Sequence, residues 1–229
     1  PTFDVKDITT DAIVFNLKSD INLNYFDNVY VEIFNENGES ESIRILDKDA
    51  INSISGDTIE VDGLKSDNKH SMKVFGVYES TREYFELEDE DFIITTRKEQ
   101  PTIGDLIFDN EDKNYDKNDI ANIELVLNNK DNAEIEGLKV DGQDVEFDKS
   151  QNKFNLNVGN VFGKNEKVIN EVTYFDNYAN KSFDPNFEFD YNVIKEIPKV
   201  EFTDDSIFGR KDAKIKFTIN DADQAIVGK

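Results

Sequence analysis

Hydrophobic side chains recur at every second position along most of this chain, the spacing that places one set of side chains on one face of a β-strand. Ile59 and Val61 alternate with Glu60 and Asp62, and Met72 and Val74 alternate with Ser71 and Lys73, on either side of a Gly63-Leu64 corner. Upstream, Phe3, Val5 and Ile8 begin an edge strand, Thr9-Thr10-Asp11 turns it, and Ile13, Phe15 and Leu17 share a face opposite Val14. Val29, Val31 and Ile33 alternate with Tyr30, Glu32 and Phe34, and Asn35-Glu36-Asn37-Gly38 predicts a hairpin closed by a glycine at positive φ. Ile43 and Ile45 predict a further short strand, and residues 47–55, where the pattern loosens, read as one helical turn crossing between sheets or a plain loop, the loop being favoured. A last strand is expected through Phe92-Ile93-Ile94-Thr95-Thr96, after an acidic stretch at 86–91 that would discourage edge-to-edge pairing.

The alternation breaks at Arg97-Lys98-Glu99-Gln100-Pro101, which reads as a polar linker, and then resumes. Strands are predicted at 103–108, 120–127, 135–140, 145–147, 154–158, 168–175 and 183–193. Asp141-Gly142 predicts a tight turn. Asp184-Pro185 predicts an edge position or a bulge, because proline cannot donate to a ladder. Pro198 stands after Lys195-Glu196-Ile197 in a context like that of Pro101, and the stretches following both prolines are alike. Pro101-Thr102-Ile103 leads through Phe108 to Ile120-Ala121-Asn122-Ile123-Glu124-Leu125. Pro198-Lys199-Val200-Glu201-Phe202 leads through Phe208 to Ala213-Lys214-Ile215-Lys216-Phe217. Each is a first strand, a polar turn and a second strand, so a tandem array is expected.

The Gly63-Leu64 corner, with an aromatic ring six positions after Leu64 and an alternating strand beyond it, resembles the E–F corner of a fibronectin type III domain. In that family a tyrosine hydroxyl usually bonds back to the corner backbone; here the position holds His70. The Ile13–Leu17 alternation resembles the family's second strand, with Leu17 where a core Trp is usual, and Ile94-Thr95-Thr96 resembles its ending. The chain has no Trp, so Phe15 and Leu17 are expected to share the missing volume. The fold expectation is therefore all-β: tandem antiparallel β-sandwiches, fibronectin type III-like over 1–98 and immunoglobulin-like over 101–197. Residues 198–229 would open a third, truncated module. Seven strands suit the second module, since that is the number in a simple immunoglobulin-type sandwich.

Composition narrows the partners. Fifty acidic against 26 basic residues give a net charge of −24 in 229 residues. Such a field repels phosphate backbones and anionic head groups, so neither nucleic acid nor a membrane surface suits this chain. The 18 Phe and 8 Tyr are enough apolar bulk for β cores. There is no cysteine; an extracellular sandwich without disulfides points to a bacterium. The abundance of Asn, Lys, Ile and Asp fits an AT-rich genome. Pro1 replaces an initiator Met, and no apolar run approaches a membrane span of ~18 residues. The chain is thus expected to be a segment of a longer protein, with any signal or anchor outside it. In composition and modular layout it is similar to the repetitive surface lipoproteins and adhesins of mollicutes.

Candidate chemistry is sparse. Residues 109–119, DNEDKNYDKND, offer oxygens at Asp112, Asn114, Asp116 and Asn118, as a Ca²⁺ loop would. The EF-hand pattern fails, because Lys117 occupies the sixth position and Ile123 the twelfth. A loop between two strands explains the stretch better. Tyr174, Phe175, Tyr178, Phe183, Phe187, Phe189 and Tyr191 concentrate rings that a carbohydrate platform would need. Phe187, Phe189 and Tyr191, however, alternate with Glu188 and Asp190, which is the pattern of a packed face. His70 is the only imidazole, and its corner position argues for a structural role over metal binding or catalysis. No phosphate loop or nucleophile elbow is present.

No catalytic, cofactor-binding or metal-ligating residue is assigned, Ca²⁺ at 109–119 being the one cofactor considered. The expected role is a non-enzymatic spacer or adhesin on a bacterial cell surface, facing a host protein or glycan. The alternatives are an accessory region of a secreted or surface glycosidase or protease, and a structural module of a phage tail.

Overall fold

The computed structural model describes residues 2–18, 25–46, 58–85, 92–202, 217–221 and 223–225. Strands dominate it, and the chain divides into two compact units. The first is Pro1–Thr102 with Asn128–Ile135 and Tyr174–Lys181; the second is Ile103–Leu127, Glu136–Thr173 and Ser182–Lys229. The expected loop at 47–55, the acidic stretch at 86–91, Phe208 and residues 213–216 lie outside the described residues.

In the first unit, β1 (Thr2–Ile8), β2 (Ile13–Lys18) and β5 (Ile59–Val61) form an antiparallel sheet in the order β1-β2-β5. The other sheet joins β4 (Ser40–Leu46), β3 (Asn28–Phe34), β6 (Lys69–Tyr78) and β7 (Thr81–Phe85), with β8 (Ile93–Thr95) also on β6. Pairing of Val31 with Val74 puts the apolar sets of β3 and β6 on the same face. Together with Ile13, Phe15, Ile59 and Val61 they bury one continuous core. The unit is an antiparallel β-sandwich, as the alternation predicts. Phe15 is fully buried; the Leu17 side chain lies outside the described set.

β7 is an element the pattern did not announce. Glu79 and Ser80 turn β6 into β7 with φ of 44° and 71°, an arrangement more usual for Asn and Gly. By contrast the Asn35–Gly38 hairpin closes as expected: Gly38 sits at φ +77°, and its N–H and that of Asn35 bond Asn35 O and Glu39 O at 2.9 Å.

The second unit and its flanking strands carry two more sheets. One has the order β14-β15-β11-β9: β14 (Glu146–Asp148), β15 (Lys153–Asn157), β11 (Ile120–Asn128) and β9 (Thr102–Phe108). The other has β10 (Asn114–Tyr115), β18 (Phe187–Val193), β16 (Gly163–Phe175), β12 (Glu134–Val140) and β13 (Gln143–Asp144) in that order, with β17 (Asn180–Phe183) also on β16. Ile123, Phe154, Ile169, Val172, Phe189 and Tyr191 are all buried here. Asp141 and Gly142 make the predicted turn with φ of 50° and 77°, pairing Val140 with Gln143.

Three details differ from the alternation. The strand expected at 145–147 is β14, one residue later, and a further two-residue strand, β13, precedes it in the other sheet. The last strand is interrupted at 184–186, so Pro185 lies between β17 and β18 and no ladder donor is lost. β16 begins at Gly163, five residues before its apolar pattern, where its backbone already pairs with β18 and Lys164 ion-pairs with Asp190 across the strands and with Glu166 along its own. Beyond Pro198, β19 (Lys199–Phe202) pairs antiparallel with β20 (Phe217–Asn220).

Candidate functional site

The residues at the Gly63-Leu64 corner are engaged in building the fold. Gly63 turns the chain at φ +77°, where an open surround and no Cβ permit a left-handed corner. The next residue, Leu64, is buried and donates its N–H to Asp11 O at 2.9 Å. His70 then points inward from β6 and is 1% exposed. Its Nε2 lies 3.3 Å from Lys65 O, so the ring reaches the corner backbone. Thr96 Oγ1 donates to the same carbonyl at 2.5 Å, supplying the hydroxyl that the imidazole lacks. On its other edge Nδ1 sits 3.1 Å from Glu41 Oε2, without the alignment of a hydrogen bond.

The acidic loop at 109–119 is folded on itself. Asp109 Oδ1 accepts from Asn110 N and from Tyr115 OH, Asn110 Oδ1 from Asp112 N, and Asp119 Oδ2 from Asp116 N. Its middle runs as β10, parallel to β18, with Asn192 N and Ile194 N donating to Lys113 O and Tyr115 O at 2.8 and 2.9 Å. Tyr115 is the buried anchor, edge-on to Tyr191 at 6.3 Å, and burial raises its phenol pKa. The four proposed ligands alternate along a segment that is partly strand. Among the described residues, no three Asp, Glu, His or Cys side chains are grouped to hold a metal.

Three of the seven concentrated rings are buried, two are half-buried and Phe175 and Tyr178 are exposed. Tyr174, Phe189 and Tyr191 are the buried ones, Phe189 meeting Phe108 and Phe154 at 6.0 and 6.4 Å while Tyr191 OH donates to Val158 O. Tyr178 is 45% exposed, and its hydroxyl is committed to Thr95 O at 2.5 Å.

Tyr178 belongs to a cluster that sequence reasoning missed, within the first unit. Arg97 donates through Nε to Ile8 O and through a terminal nitrogen to Asp176 Oδ2 at 2.7 Å, and stacks on the Tyr178 ring at 4.9 Å. Asp176 is buried and also accepts from the Tyr178 and Ala179 amides. Asn177, at φ 86°, reaches Asp67 Oδ1 and Thr96 O. Burial opposes ionisation of Asp176, yet the Ala179 and Tyr178 amides and the Arg97 guanidinium together hold its pKa below the ordinary value. The folded state therefore binds fewer protons there than the unfolded chain. This stabilisation is complete above the usual carboxylate range and is lost as pH falls through the folded value. Asp176→Asn should cost about 2 kcal/mol at neutral pH. Its stability relative to wild type should converge as pH drops below about 4, as urea titrations across that range would show.

No family model matches the chain, and no curated protein matches it. Among solved structures it is similar to a two-domain fibronectin type III segment from chicken tenascin, at 9% identity and a TM-score of 0.36 over 83% of this chain and 97% of that one. It is also similar to the chicken CNTN1 FN1–FN3 domains, at 9% identity and a TM-score of 0.38 over 88% of this chain and 70% of that one. The amphioxus IgVJ-C2 molecule follows, at 10% identity and a TM-score of 0.31 over 82% and 99%.

Among the described residues of the first unit, one sheet face carries exposed apolar side chains. On the side of β4-β3-β6-β8 away from the core, Ile43, Ile45 and Ile93 are about half exposed or more, at 49%, 54% and 60%. Between them Tyr30 stacks on Phe75 at 4.9 Å, Arg82 covers Phe75, and Lys73 lies over the Phe34 ring. Cross-strand pairs of Tyr30 with Ile45 and Glu32 with Ile43 make these one surface. A groove of about 390 Å³ on β16 and β18 is polar by comparison, its Lys164 already paired with Glu166 and Asp190.

Proposed function

We propose that this chain is a non-enzymatic modular segment of a bacterial cell-surface protein, acting as a spacer that can present a binding face to a host protein or glycan. Its modules would be 1–98, 101–197 and the opening of a third at 198–229. The observation that carries this reading is the succession of sheets along the chain, with β1–β8, β9–β18 and β19–β20 each pairing among themselves. The imidazole, the acidic loop and the Arg97–Asp176 pair each bond backbone, which suits structural roles. The acidic surface suits a crowded, exposed location by keeping copies apart.

Labelled protein applied to host cells and to a glycan array tests the binding half. Capture that disappears in an Ile43→Asp, Ile45→Asp variant supports an adhesin using the exposed face of β4. Capture by neither surface leaves a spacer. Antibody labelling of intact producing cells tests location, and labelling only after permeabilisation would sink the surface reading.

A further inference from the structure

The two segments that precede β9 and β19 are held by the same contacts. Both read Lys-Glu-x-Pro: Lys98-Glu99-Gln100-Pro101 and Lys195-Glu196-Ile197-Pro198. Glu99 N donates to Asp131 Oδ2 at 2.8 Å, and Glu196 N donates to Asp223 Oδ2 at 3.0 Å. Lys98 Nζ reaches Asn132 O at 3.1 Å, and Lys195 Nζ reaches Gln224 O at 3.1 Å. The receiving loops are also alike. Asn129 Oδ1 accepts from Ala133 N, and Asp221 Oδ1 accepts from Ala225 N. Asn132 N bonds Asn129 O and Gln224 N bonds Asp221 O, and Asn132 and Gln224 both sit at φ 51°. Asp131 and Asp223 are among the few buried charged side chains described, at 8% and 9% exposure. The first set lies within the first unit and the second within the second.

This matching is not imposed by the strands. Pairing of β11 with β9, and antiparallel pairing of β20 with β19, brings the loop leaving one strand beside the segment entering the other. It does not specify a buried carboxylate, a left-handed residue after it, or a lysine aimed at that residue's carbonyl. A buried carboxylate without donors is costly, so the linker amide and the aspartate stabilise each other's position. Asp223 has a further partner in Lys117, and that ammonium together with the Glu196 amide holds its carboxyl below the ordinary range.

We propose that Lys98-Glu99 with Asp131 and Lys195-Glu196 with Asp223 are two copies of one latch, which seats the linker on the loop that follows the module's second strand. The aspartate is its central acceptor and the Lys-Glu-x-Pro segment its tongue. The linkers are thereby ordered parts of the modules they lead, and the contacts of Lys195, Glu196, Asp221, Asp223, Gln224 and Ala225 repeat those of Lys98, Glu99, Asn129, Asp131, Asn132 and Ala133. The latch builds on the tandem-module half of the proposed function and is independent of what the protein binds or where it acts.

Amide hydrogen exchange by NMR on the full chain tests it. In wild type the Glu99 and Glu196 amides should exchange at least about tenfold more slowly than in an unstructured peptide. Asp131→Ala should release Glu99 and leave Glu196 protected; Asp223→Ala should do the reverse. Asp131→Asn and Asp223→Asn, which retain an acceptor oxygen, should keep partial protection, and they stand in should an alanine variant fail to fold. Free exchange of Glu196 in wild type would overturn the proposal, as would protection of either amide that survives loss of its aspartate. Neither result depends on a binding assay, so a failed latch and a failed adhesin are told apart.

Discussion

Replacing His70 with leucine is expected to destabilise the first sandwich by about 3 kcal/mol, the largest loss from any single polar position described. The volume is nearly kept, so the cost is electrostatic and local. Among the described residues Glu41 Oε1 and Oε2 are buried with no hydrogen-bond donor, and His70 Nδ1, 3.1 Å from Oε2, is their polar neighbour. Leucine removes that neighbour and the ring's bond to Lys65 O, so the buried carboxylate faces an apolar group instead. A thermal midpoint lower by on the order of 10 °C for the unit's transition is the expected readout. The double variant His70→Leu, Glu41→Leu should recover much of the loss, because removing both partners leaves no stranded charge. If the double variant were as unstable as the sum of its two singles, the pairing would carry no coupling and this account would fail. His70→Tyr is the informative contrast, since it restores a hydroxyl at the corner and still deprives Glu41.

The alternation of apolar positions made most of this architecture legible, because a strand with one buried face needs period two and few other structures do. β3, β6, β11 and the Asp141-Gly142 turn stand where that pattern places them. The imidazole at the corner was readable as structural for a related reason: its place between Gly63-Leu64 and an alternating strand determined what it would face. What escaped the pattern was set by partners distant in sequence. β7 depends on a Glu79-Ser80 turn with no Gly or Asn to announce it. β10 lies inside an acidic run that suggested cation ligands, and it is a strand because β18 offers an open parallel edge and Tyr115 has a core to enter. Arg97, read as one residue of a polar linker, meets Ile8, Asp176 and Tyr178, whose positions only the folded chain brings together. The repeated Lys-Glu-x-Pro was visible as a pair of prolines, while its meaning lay in Asp131 and Asp223, which no periodicity marks.

Gly76→Ala should cost about 2–3 kcal/mol, far more than a glycine substitution inside a strand usually does. Gly76 faces inward from β6 opposite Val29, and the ring of Phe26 lies directly over it. A Cβ placed there would stand 2.7 Å from Cε1 of that ring and closer still to Cγ and Cδ1. No side-chain rotation relieves an overlap with a Cβ, so either the strand shifts or the ring leaves a site where it is 3% exposed. Tyr25 packs edge-on against Phe26 at 5.3 Å and stacks on Tyr78 at 4.7 Å, so displacement of the ring would disturb these contacts as well. Gly38 and Gly63 are the natural comparison. Both have open space where a Cβ would go and are constrained only by φ of +77°, so alanine at either should cost about 1 kcal/mol. The decisive measurement is made in a Phe26→Ala background, where urea denaturation should show Gly76→Ala adding well under 1 kcal/mol to the loss already incurred. Simple additivity of the two substitutions would mean that the ring is not what makes this position intolerant of a side chain.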